Sequence, residues 1–79
     1  MITGKGEQHS IVTTTNSGSE VLPIKGSSDD VATAVSVILE AFIRQHYVVY
    51  CFPHLRRWEM SFPGQPISVI VELKTLYLN

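Results

Sequence analysis

The amino-acid sequence predicts an α+β fold, in which one helix packs on one face of an antiparallel sheet of four to five strands. Apolar residues recur at helical spacing between residues 27 and 46. The segments on both sides of this stretch alternate in polarity or are rich in β-branched residues, as strands are. The predicted order of elements is therefore β-β-α-β-β-β, in a single domain over residues 1–79.

The first two predicted strands form a hairpin. Residues 10–15 are rich in β-branched side chains, residues 16–19 have the composition of a turn, and residues 20–24 are again mostly apolar. Pro23 has no backbone N–H and cannot donate to a neighbouring strand, so the second strand is expected at an edge of the sheet. Residues 1–9, which include two glycines, are expected to fray.

The helix has both a start signal and an inward face. Ser27 followed by Asp30 has the spacing of a capping box, and Glu40 lies four residues before Arg44 on the polar face. The predicted inward residues are Val31, Ala34, Val35, Ile38, Leu39, Phe42 and Ile43.

The second half of the chain predicts three more strands. Residues 47–52 are apolar or aromatic at every position, which is typical of a strand buried on both faces in the centre of a sheet. Residues 57–62 and 67–73 alternate on either side of a Pro-Gly-Gln-Pro turn, as a hairpin does. After Lys74 the apolar phase changes to Leu76 and Leu78, so we expect either a bulge or a contact with something else.

Composition excludes several classes of protein. With 44% hydrophobic and 16% charged residues in 79, the chain is expected to fold around one small core, and domains of this size often rely on an oligomeric contact. The net charge of −1 gives no long-range attraction to nucleic acid or to an anionic membrane. The longest apolar run is too short to span a bilayer, and the polar N-terminus does not resemble a signal peptide. Cys51 has no partner for an intramolecular disulfide, so a cytoplasmic location is expected.

One helix covers only one face of such a sheet, and the sequence has more apolar strand residues than that face requires. The residues predicted to contact a protein partner are Tyr47, Tyr50, Phe52, Ile70, Leu76 and Leu78. We therefore expect a small non-enzymatic protein-interaction module that forms homo-oligomers through a face or an edge of its sheet. Its size suggests an accessory protein, as viruses and mobile elements encode, that inhibits or adapts a larger assembly. The identity of that partner stays open.

Two alternative functions rest on other residues. Arg56, Arg57 and Trp58 combine guanidinium groups with an aromatic ring, as single-stranded nucleic-acid binders do, but the favoured interpretation puts Trp58 in the core and the two arginines at a solvated end of the hairpin. A small endoribonuclease is the other alternative, and its conceivable acid–base set is Tyr50, His54, Arg57 and Glu59.

No metal and no cofactor are expected. Cys51 and His54 have the spacing of two metal ligands, with His46 before them and Glu59 after them. A structural zinc site normally has four ligands and favours several cysteines, so a buried cysteine and two ordinary histidines explain the pattern better.

Overall fold

The computed structural model describes residues 6–78, and the side chains of residues 8–76 within that range. One helix and five antiparallel strands in one sheet confirm the predicted class and order. The elements are β1 (Gly6–Thr15), β2 (Gly18–Ile24), α1 (Ser28–Arg44), β3 (Val48–Phe52), a short 3₁₀ turn (Pro53–Leu55), β4 (Arg57–Ser61) and β5 (Val69–Leu78).

The strands lie in the order β2-β1-β5-β4-β3, so β2 and β3 form the two edges. The edge position of β2 agrees with the inference from Pro23. The prediction that residues 47–52 form a central strand is wrong, because β3 pairs only with β4. Long-range pairing of β1 with β5 puts β5 at the centre instead. An apolar composition shows that a strand has two non-polar faces, but it does not specify the strand's neighbours.

The pairing of β1 with β5 is continuous over ten residues, from Gly6 opposite Leu78 to Thr15 opposite Val69. A bulge after Lys74, one of the two alternatives that the sequence left open, is therefore not found, and Leu76 stays in register opposite Gln8. Strand β1 begins at Gly6, and residues 6–9 of the segment that is expected to fray pair with β5. The same expectation for residues 1–5 lies outside the described part of the chain.

The core lies between α1 and one face of the sheet. Its buried apolar residues are Ile11, Met60, Val69 and Val71 from the strands and Val31 and Val35 from the helix. Ala34, Ile38, Leu39 and Phe42 pack against this core and are half-buried, as the helical spacing predicts. Ile43, which the same spacing predicts to face inward, is instead 58% exposed. It lies about 100° around the helix axis from Phe42, which puts it at the flank of the apolar stripe.

Both ends of α1 have identifiable hydrogen bonds. At the start, the Ser27 backbone N–H donates to Asp30 Oδ2 over 2.7 Å, and the Asp30 N–H donates to Ser27 Oγ over 3.3 Å. The backbone and side-chain hydrogen bonds from Ser27 lower the pKa of Asp30 below its ordinary value. Gly26 precedes this cap with φ +131°, and a Cβ there would collide with the Asp30 side chain.

At the other end, the His46 N–H donates to Ile43 O and the Tyr47 N–H donates to Phe42 O, over 3.0 and 3.1 Å. This is a Schellman motif, in which His46 adopts the left-handed conformation (φ 67°) that glycine usually supplies. The turn brings Tyr47 back against the helix.

Candidate functional site

The face of the sheet opposite α1, which we call the open face, is not covered by the helix. Side chains alternate along each strand, so the pairing register assigns the residues of this face. They are Gln8, Ser10, Val12 and Thr14 of β1, Ser19, Val21 and Pro23 of β2, Val48, Tyr50 and Phe52 of β3, Arg57, Glu59 and Ser61 of β4, and Ile70, Glu72, Lys74 and Leu76 of β5. Within residues 6–78, the helix packs on the other face.

Exposed apolar side chains lie at both sides of the open face. Tyr50 and Phe52 of the edge strand β3 are 50% and 40% exposed, and we call this pair the aromatic margin. On the opposite side, Val21 and Leu76 are 63% and 59% exposed, and with the exposed Pro23 they form the aliphatic margin. These three side chains line an open groove together with Gln8 and Ser10.

Between the two margins lies a cluster of ion pairs, the charged centre, formed by Arg57, Glu59, Glu72 and Lys74. Arg57 Nε donates to Glu59 Oε2 over 2.8 Å, and a second guanidinium nitrogen of Arg57 lies 3.4 Å from Glu72 Oε2. Lys74 Nζ lies 3.6 Å from the same Glu72 oxygen. The Arg57, Glu59 and Glu72 side chains are only 21–30% exposed. Two acidic and two basic groups make this centre neutral overall.

The free edge of β3 offers few groups for pairing with another strand. The Leu73 N–H donates to the Arg56 carbonyl, and the Ser68 N–H donates to the Met60 carbonyl. Along β4, the even-numbered residues therefore direct their backbone groups towards β5. The odd-numbered residues of β4 therefore bond to β3. Only Val49 and Cys51 of β3 are left with backbone groups that point outward. At the other edge, Pro23 of β2 has no N–H to offer.

The structure places most of the predicted partner-binding residues on the same face of the sheet. Tyr50, Phe52, Ile70 and Leu76 all belong to the open face. Tyr47 does not, because its ring packs edge-on against Phe42, with centroids 4.9 Å apart, and lies 4.2 Å from the Phe62 ring on the helix side. Leu78 ends β5, and its side chain lies outside the described part of the structure.

Sequence reasoning missed two residues of the aliphatic margin, Val21 and Pro23, and the charged centre. Val21 and Pro23 lie in an apolar run, Val-Leu-Pro-Ile, which is the same signal that identified β3. Arg57 with Glu59, and Glu72 with Lys74, are two residues apart and so share a face within each strand. Their position beside one another depends on the register of β4 against β5.

The residues of the nucleic-acid alternative point in different directions. Arg56 donates to Thr75 Oγ1 over 3.0 Å, and that hydroxyl also lies 3.2 Å from Nδ1 of the buried His9. Arg57 lies on the open face between two carboxylates. Trp58 is half-buried against the core. These three side chains therefore do not form one continuous surface.

The residues of the endoribonuclease alternative, and those with the spacing of metal ligands, are also divided between different parts of the fold. Tyr50 lies opposite Glu59 in the register and shares the open face with it and Arg57, whereas His54 is exposed in the 3₁₀ turn. Cys51 is exposed, contrary to the expected buried cysteine, and its place in the register puts it on the opposite face from Glu59. Among residues 6–78 no group of three or more His, Cys, Asp or Glu side chains lies close enough to hold a metal ion.

No known protein family, no curated protein and no solved structure is significantly similar to this chain. In the part of the chain that the structure describes, α1 is the one α-helix, and it is neither long nor apolar enough to cross a membrane.

Proposed function

We propose that this protein is a non-enzymatic protein-interaction module that self-associates through its sheet and acts as an inhibitor or adaptor of a larger assembly. The open face carries this proposal, because it combines two exposed apolar margins with a neutral, partly buried charged centre. Exposed apolar groups that lie together on a small protein usually mark an interaction surface. The exposed, unpaired Cys51 is consistent with a reducing, cytoplasmic location, which we include in the proposal.

Some residues of the open face are of types that protein interfaces favour. Interfaces are enriched in aromatic residues and in Arg, and Tyr50, Phe52 and Arg57 supply these types. A standard interface buries about 800 Å² of each partner. The chain has 5693 Å² of accessible surface, so one such contact uses roughly a seventh of it.

The electrostatics favour a protein partner over a nucleic acid. A phosphate-binding surface needs cations that are free to replace condensed counterions. Arg57 is instead held by Glu59 and Glu72, and Lys74 lies beside Glu72 as well. Each cation on this face therefore has a carboxylate next to it that would repel a phosphate.

We expect the purified protein to have twice its chain mass of 8.8 kDa in solution. Size-exclusion chromatography with light scattering, followed over a dilution series from about 100 to about 1 μM, measures this mass directly. This hundredfold range of concentration corresponds to about 2.8 kcal/mol of association free energy. A dimer with a dissociation constant within the range therefore shows a mass that falls on dilution. A mass of 8.8 kDa at every concentration would rule out self-association.

A further inference from the structure

We propose that the open face binds the open face of a second copy of this chain, around a two-fold axis that runs across the strands. This inference rests on the proposed self-association and specifies its surface, partner and register. Three observations support it: the arrangement of charges, the area of the open face, and the small number of backbone groups that the two sheet edges offer for pairing.

The charged centre is complementary to itself only in certain orientations. In the register, Arg57 and Glu72 lie side by side in one row across the strands, and Glu59 and Ile70 lie side by side in the next. A two-fold axis across the strands, between these rows, puts Arg57 of each copy over Glu59 of the other. An axis along β5 would put the two copies of Glu72 against each other, and such like-charge contact is unfavourable.

The same orientation also pairs the aromatic margins. Phe52 lies opposite Arg57 and Tyr50 opposite Glu59 in the register, so Phe52 of one copy meets Tyr50 of the other. Aromatic pairs of this kind are typical anchors of an interface. The ion pairs of the charged centre are already formed within each chain, so each buried charge keeps a partner when water is removed.

The size of the open face fits a dimer contact. Five strands spaced about 4.8 Å apart give a width of about 24 Å, and strands of about 5–10 residues at about 3.4 Å per residue give a length of about 17–34 Å. The flat footprint is thus about 400–800 Å², and the side chains that project from it add accessible area. This approaches the roughly 800 Å² that each partner contributes to a standard interface.

Pairing through an edge strand offers much less. The outward backbone groups of β3 are those of Val49 and Cys51 alone, and Pro53 follows the strand directly. The edge strand β2 contains Pro23, a residue that natural proteins use to block edge pairing. The face therefore provides more contacts for a second copy than either edge.

Two charge-reversal variants test this arrangement. Arg57→Glu changes the charged centre from neutral to a net −2, and Glu59→Arg changes it to a net +2. Each variant alone should be monomeric in analytical ultracentrifugation, at concentrations where the native protein is a dimer. An equimolar mixture should restore the dimer mass, because the two carboxylates that the first variant carries at these positions then face the two guanidinium groups of the second.

The matched control reverses an ion pair of the same kind on the helix. Glu40 and Arg44 form an exposed pair on α1, away from the open face. The variants Glu40→Arg and Arg44→Glu should each keep the native dimer mass. Mixtures should be measured at low and at high salt, because a non-specific attraction between opposite net charges disappears at high salt, whereas a packed interface keeps most of its affinity.

The outcomes separate this inference from the proposed function. A monomeric native protein contradicts both. If the native protein is a dimer and Arg57→Glu alone is still a dimer, the protein self-associates but not through the open face. The same conclusion follows if the equimolar mixture of the two variants stays monomeric. If reversed charges prevent folding, Arg57→Gln removes the charge but keeps the side chain polar, and we then expect at least a tenfold weaker dimer. An unchanged dissociation constant in that variant would also overturn the inference.

Discussion

Met60→Ala is expected to lower the free energy of unfolding by about 2–5 kcal/mol, the range for truncating a buried Met, Leu or Ile. Met60 is fully buried, and it lies opposite Val69 in β5 and Val49 in β3. A domain is typically stable by only about 5–15 kcal/mol, so this single change removes a large part of the total. Urea unfolding followed by circular dichroism measures the loss as a shift of the midpoint.

The control for this prediction is Ile43→Ala. It also removes a large apolar side chain, but from a position on α1 that is mostly exposed. Its effect should stay within about 0.5 kcal/mol, as for most surface substitutions. Equal urea midpoints for the two variants would show that the core does not lie between α1 and the face of the sheet that contains Met60.

The second large effect concerns association. The double variant Tyr50→Ser, Phe52→Ser removes both rings of the aromatic margin. Truncating an aromatic anchor of an interface costs about 2 kcal/mol or more, and the losses of neighbouring residues do not add. The two rings together are therefore expected to cost about one such loss in each of the two copies. We expect a total loss of at least about 4 kcal/mol, or about a thousandfold in dissociation constant. Sedimentation equilibrium should then show monomers throughout the micromolar range.

Val37→Ser, Ile43→Ser is the control, because it removes two exposed apolar side chains from the helix, away from the open face. This variant should retain the native dimer. If both double variants dissociate alike, the loss reflects lower stability of the fold and not a contact of the aromatic margin. If neither dissociates, Tyr50 and Phe52 do not lie in the interface.

The helix was predictable from sequence because its signals are local. The capping box of Ser27 and Asp30 and the apolar repeat from Val31 to Phe42 lie within one element, and both are present in the structure. Its last turn was less predictable. The Schellman motif has His46 where glycine is usual, so the sequence contains no clear mark of where the helix ends.

The strand order was not predictable in this way. Strands β1 and β5 are separated by most of the chain, and their ten-residue register depends on the packing of the whole sheet. Local apolar content therefore suggested a central position for β3, which is an edge. The charged centre depends in turn on this order, because Arg57 and Glu72 become neighbours only when β4 and β5 pair.

The candidate site shows one error that alternation alone corrects. Tyr47 and Tyr50 are three residues apart, and a period of two places them on opposite faces of an extended chain. The structure agrees, with Tyr47 against Phe42 and Tyr50 on the open face. Apolar content indicated the candidate surface. Whether a strand residue lies on that surface depends on whether its position is odd or even, because side chains alternate between the two faces.

The central claim is that two copies meet open face to open face, and intermolecular nuclear Overhauser effects test it most directly. An equimolar mixture of isotope-labelled and unlabelled protein, recorded with isotope filtering, detects only contacts between copies. We expect such contacts between the rings of Tyr50 and Phe52, and none from Val37 or Ile43 on the helix. Intermolecular contacts confined to the helix, or to the backbone of Val49 and Cys51 at the edge of β3, would contradict the account.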